Sequence, residues 1–176
     1  MARLFSLFGE RKLTEPATPE NPVPTPTLVT AKPDAGIPYD GQLIAMLKQD
    51  HVQLVNQFTS LMPLLRNHDV RNFRSRLQAF KTEFQGHIIK ENVKFYVYLE
   101  QSLAKDETNL ELIRDFRREM NSISRAVVHF CNRYLDDPMS SLTIQEFAQE
   151  SNEIAEALLR RIEREERDLY PLYMAN

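Results

Sequence analysis

His87 stands four residues ahead of Glu91, a spacing that puts both side chains on one face of a helix. His51 lies four residues after Leu47 and four before Val55, so it shares the apolar face of its own stretch. Glu165 falls close to the centre of the apolar stripe of the last helical stretch, which runs from Ile144 to Leu169. Burying imidazole or carboxylate costs free energy unless the group is satisfied. Imidazoles and carboxylates that converge from facing helices are what a helix bundle uses to hold non-haem iron or manganese. Carboxylates can bridge two ions, and neutral imidazole suits iron and zinc. A single inward histidine is more often a hydrogen-bonded core residue. Two inward imidazoles with two inward carboxylates on three helices favour a metal.

Other chemistries find fewer parts. The one cysteine, Cys131, excludes an intramolecular disulfide, a cysteine-based zinc site and an iron–sulfur cluster. The four glycines, at 9, 36, 41 and 86, are scattered and form no phosphate loop. No serine or cysteine triad can be assembled with conviction, so a metabolic enzyme is not expected. An activity, if there is one, would be metal-dependent oxygen or peroxide chemistry.

The elements that must position these groups are helical. Residues 40–66 carry Ile44, Leu47, Val55, Phe58 and Met62 at three- and four-residue spacing. Residues 70–103 carry Phe73, Leu77, Phe80, Phe84, Phe95 and Tyr98, and residues 106–135 carry Ile113, Phe116, Met120, Ile123, Val127, Phe130 and Tyr134. The fourth stripe, Ile144, Phe147, Ile154, Leu158, Ile162 and Leu169, follows the breaking run Asp136, Asp137 and Pro138. Strand alternation is absent. Long helices joined by short turns make an all-α, antiparallel up-down four-helix bundle over residues 39–176.

Seven of the ten prolines lie between Pro16 and Pro38. Proline removes a backbone donor and disfavours helix at its predecessor, so residues 11–38 read as a disordered, extended linker. Ahead of it, residues 1–10 include Leu4, Phe5, Leu7 and Phe8, an amphipathic peptide suited to docking on a protein partner, with weak membrane contact as the lesser alternative. The net charge of −3 argues against nucleic acid, which calls for a surplus of Lys and Arg. No apolar run approaches the roughly 18–20 residues of a bilayer span, and a cytoplasmic location is the default expectation.

The chain also repeats itself. HIIKENVKFYVYL (residues 87–99) aligns without gaps on RIEREERDLYPLY (residues 161–173), matching His87 to Arg161, Ile88 to Ile162, Glu91 to Glu165 and Tyr96 to Tyr170. Ring packing explains the paired tyrosines. The second copy ends in Glu-Glu-x-x-Leu-Tyr-Pro, and here the chain resembles the hemerythrin-like family of HHE cation-binding domains over about residues 42–172. That resemblance implies a bundle whose inward His and Glu bind a di-iron centre for oxygen carriage, sensing or iron handling. Transferred position by position, it implies His51, His87, Glu91 and Glu165 as metal ligands.

Two positions depart from the pattern. Arg161 replaces the histidine of the second His-x-x-x-Glu, and a guanidinium cannot ligate a metal. The histidine expected on the third helix has His129 as its one doubtful candidate. At about 100° per residue it lies opposite the apolar stripe, while Met120 occupies the position matching His51. A second, weaker similarity, to the regulator-of-sigma-D (Rsd/AlgQ) anti-sigma family, rests on QGHIIKENVKFYVYLE and the acidic last helix. Two functions follow as expectations. One is a cytoplasmic sensor or regulator binding non-haem iron, mono- or dinuclear. The other is a metal-free protein-interaction module on the same fold, with Arg161 filling the cavity and the N-terminal peptide as a docking motif.

Overall fold

The computed structural model of the chain describes residues 36–175. The expected peptide at 1–10 and residues 11–35 of the expected linker lie outside this range. Residues 36–40 are non-helical, and no strand occurs among the described residues.

Among the described residues six α-helices form four rods. The first consists of α1 (Leu43–Thr59) and α2 (Leu61–Arg66). The expected single helix is interrupted at Ser60 because Pro63 has no N–H for the Thr59 carbonyl and its ring crowds that group. The second rod is α3 (Val70–Lys90), a π-helical turn (Glu91–Phe95) and α4 (Tyr96–Ser102). The third is α5 (Glu107–Asp136). The fourth is α6 (Ser141–Arg164), a second π-helical turn (Glu165–Leu169) and a 3-10 turn (Tyr170–Leu172).

Local chemistry sets these boundaries. Asp69, Asp106 and Ser140 cap α3, α5 and α6 by accepting from the N–H groups of Asn72, Asn109 and Thr143, caps worth about 1 kcal/mol each. After α2 the Asp69 and His68 N–H groups bond back to Leu64 and Leu65. This closure holds His68 at φ 55° on the exposed turn, away from any site.

The rods close a ring in which α1 packs on α3 and α6, α3 on α5, and α5 on α6. Burial on α1 follows Leu43, Leu47, His51, Leu54 and Phe58; the expected Ile44 and Val55 flank that line half-buried. The apolar interior forms two clusters. One surrounds Phe58, Phe73, Phe80, Phe84, Phe130 and Phe147; the other contains Leu43, Leu47, Phe95, Phe116 and Leu169. Each fully buried Leu or Phe contributes about 1.5–3 kcal/mol. On α1, Leu47 belongs to one cluster and Leu54 to the other, so His51 marks a polar waist between them.

Candidate metal centre

Five ionisable groups occupy this waist, all nearly sealed from solvent: His51 (3% exposed), His87 (5%), Glu91 (1%), Arg161 (2%) and Glu165 (1%). The four residues expected from the sequence to face inward do so. His129, the doubtful candidate, is exposed on the outside of α5.

Both carboxylates are presented by the same backbone device. Glu91 and Glu165 each open a π-helical turn, and their carbonyls accept from the N–H groups of Tyr96 and Tyr170, five residues on. The widened turn keeps the residues on both sides of it, Glu91 with Phe95 and Glu165 with Leu169, facing the interior. The internal repeat seen in the sequence is therefore a repeat of backbone geometry.

The imidazoles are oriented from behind. The Nδ1 of His51 donates to the Glu166 carboxylate at 3.1 Å, and the Nδ1 of His87 donates to Asp50 at 3.3 Å. Lys90 holds the same Asp50 oxygen at 2.5 Å. A hydrogen bond at Nδ1 leaves Nε2 as a lone pair, and both Nε2 atoms turn inward. That of His87 lies 3.5 Å from a Glu91 oxygen, and that of His51 lies 3.9 Å from Glu165 and 3.4 Å from the Tyr170 hydroxyl. Carboxylates that orient ligating imidazoles in this way are usual behind metal sites. Asp50 and Glu166 escaped the sequence reading. Their only signal was adjacency, since each neighbours an inward residue and stands half-turned from its face.

Electrostatics make the first half of the waist incomplete. Burial, followed by the neighbouring charge of Glu165, pushes the Glu91 carboxyl well above its ordinary range. Neither of its oxygens has a hydrogen-bond partner. Burial, followed by the proximity of His51, pulls His87 down to about 4, and burial also lowers His51. Two neutral imidazoles therefore turn lone pairs into the waist, that of His87 towards Glu91 and that of His51 towards Glu165 and the Tyr170 hydroxyl. One ligand atom from each of His51, His87 and Glu91 lies within 4.8 Å of the others. Bonds of about 2.0–2.2 Å to a cation separate ligand atoms by roughly 3–4 Å, so a small contraction would seat an ion. These residues fit a metal.

The second half is self-neutralised. Arg161 Nη2 donates to Glu165 Oε1 and, at 2.5 Å, to the Tyr96 hydroxyl, which in turn donates to Glu165 at 3.0 Å. The Tyr96 hydroxyl thus belongs to the polar centre, in addition to the ring packing expected for it. Arg161 Nε points at the Met120 sulfur, 3.4 Å away, and its guanidinium lies over the Phe116 ring at 4.6 Å. Burial raises the Glu165 carboxyl against the opposing pull of Arg161. Its other oxygen still faces His51.

Beside the waist, α6 covers α1 loosely. Ile154, Leu158 and Ile162 are only half-buried, and a cavity of about 50 Å³ reaches His51, His87, Met120, Arg161 and Glu165 past Leu54, Phe58 and Leu158. A water needs roughly 10–15 Å³ on this scale, so a few small molecules fit. The walls are apolar.

No helix among the described residues is long and apolar enough to cross a membrane. No curated protein and no solved structure matches the chain. The hemerythrin HHE cation-binding domain matches residues 42–173, the whole span that builds the four rods and the waist. The chain belongs to the hemerythrin HHE cation-binding family.

Proposed function

We propose that the chain is a non-haem iron protein acting as a cytoplasmic sensor or regulator, with His51, His87 and Glu91 as metal ligands and Glu165 as a fourth. The observation that carries this reading is the buried Glu91 carboxyl group, neither of whose oxygens has a well-placed hydrogen-bond partner, with the His87 Nε2 3.5 Å away and a ligand atom of His51 within 4.8 Å of both. Two imidazoles and one carboxylate form the donor set that suits ferrous iron with open positions. An ion bound there would serve as a Lewis acid or one-electron centre. The chain supplies neutral imidazoles, oriented by Asp50 and Glu166, and an apolar approach. The ligands come from α1, from α3 and the π-helical turn after it, and from the end of the fourth rod, so occupancy alters how three rods pack against one another. That coupling suits a regulator.

Metal analysis of protein purified with and without air tests this. Wild type should carry a substantial fraction of an ion per chain, and His87→Ala should lose more than about 100-fold in affinity, because even an orienting partner is worth 10–100-fold. Less than about 0.2 ions per chain, unchanged by His87→Ala, overturns the reading; the bar is low because an open site loses metal in handling.

The inward Arg161 favours a second reading. Paired with Glu165 inside the bundle, it neutralises that carboxylate without an ion, although its Nη1 stays unpaired. A protonated Glu91 would then complete a metal-free interaction module that binds a partner through the bundle surface or residues 1–10. Partner recovery by full-length protein, by protein lacking residues 1–38 and by the isolated tail separates these two surfaces.

A further inference from the structure

The waist has two halves built to one plan. In each, a π-helical turn opens on a buried glutamate, followed five residues later by a buried tyrosine. Four residues before the glutamate the plans diverge, with His87 in the first half and Arg161 in the second. A His-x-x-x-Glu repeat on this backbone would offer two equivalent cation positions. The second is already filled by a cation that belongs to the chain.

We propose that the Arg161 guanidinium is a built-in substitute for a second metal ion, so that the site accepts one ion per chain and Glu165 is shared between that ion and the arginine. Resting on the metal reading above, this adds the nuclearity of the site and the residue that sets it. The guanidinium binds one Glu165 oxygen and leaves the other facing His51 at 3.9 Å. Tyr96 locks the pair by bonding both members. Met120, the side chain next to Arg161 on α5, offers a thioether and no imidazole. A buried arginine cannot shed its proton to become a ligand, and its charge repels a second cation held by the same glutamate.

Metal-stripped full-length protein titrated anaerobically with Co(II), followed by visible absorbance and by metal analysis after desalting, tests the count. Wild type and Arg161→Lys, which keeps the charge, should saturate at one equivalent. Arg161→His should take up a second, and the double variant Met120→His with Arg161→His should hold it at least tenfold more tightly. A second equivalent in wild type, or a folded double variant that still stops at one, overturns the proposal. Zero equivalents in wild type overturns it too, and locates the fault in the metal reading itself. Should neither histidine variant fold, the wild-type and Arg161→Lys counts decide alone: one supports the proposal and two refutes it.

Discussion

In the first half of the waist, Glu91 opens its π-helical turn with a histidine four residues before it. In the second, Glu165 opens the same turn with an arginine in that place. The backbone is indifferent to this exchange, and the charge balance is not. Glu165 has a guanidinium and a tyrosine hydroxyl on one oxygen, whereas neither Glu91 oxygen has a well-placed hydrogen bond and only the Tyr170 hydroxyl nearby favours its charged form. A buried ion pair of good geometry persists without adding much stability. A buried carboxyl group with no well-placed donor is a cost that the fold retains. In one half the chain bonds its own cation to the carboxylate, at the expense of an unpaired Arg161 Nη1; in the other it bonds none.

The largest effect that sharpens this contrast, after ligand removal, is with pH. Burial, with His51 beside it, pulls His87 from an ordinary value of 6.5 down to about 4 in the folded chain. Above pH 6.5 both states are neutral there. As pH falls from 6.5 towards 4 the unfolded chain takes up the proton and the folded one does not, so stability is lost, by roughly 3 kcal/mol at the lower limit. Urea unfolding of metal-stripped protein at pH 7.5 and 4.5 should show this loss, and His87→Gln should remove the His87 share of it, leaving the part due to the lowered His51. Glu91 works in the opposite sense. Its raised value makes its contribution favourable at low pH and unfavourable as pH climbs through the folded value.

The next effect concerns the carboxylates behind the imidazoles. Asp50→Asn and Glu166→Gln should each weaken metal binding by about 10–100-fold. Glu119→Gln, which breaks the outer pair with Arg164 in the second half, should leave affinity unchanged; calorimetric titration would show both. Glu91→Gln should abolish metal binding yet stabilise the metal-free protein by about 1 kcal/mol, a rise in Tm of about 2–4 °C. An equal rise for Glu165→Gln would erase the distinction between the halves, because that change strands the Arg161 charge. The smallest effect is His129→Ala. This exposed side chain should alter stability by less than about 0.5 kcal/mol and metal content not at all.

The four rods and their turns were legible because periodic apolar residues, Asp and Ser caps and the proline at 138 are local signals, each acting within one or two helical turns. The break at Ser60 was missed although Pro63 announced it, because the apolar spacing runs straight through it. Inward placement of His51, His87, Glu91 and Glu165 also followed from periodicity, and the gapless repeat already matched Arg161 to His87. What linear spacing could not carry was who meets whom. Asp50 behind His87, Glu166 behind His51 and Tyr96 between Arg161 and Glu165 are contacts over 37, 115 and 65–69 residues of chain. Sequence by itself determined the fold and the inventory of inward polar groups, since both depend on which side of a helix a residue occupies. Only the tertiary structure decided that one carboxylate is neutralised and the other left open, because that depends on how the rods turn their faces to one another.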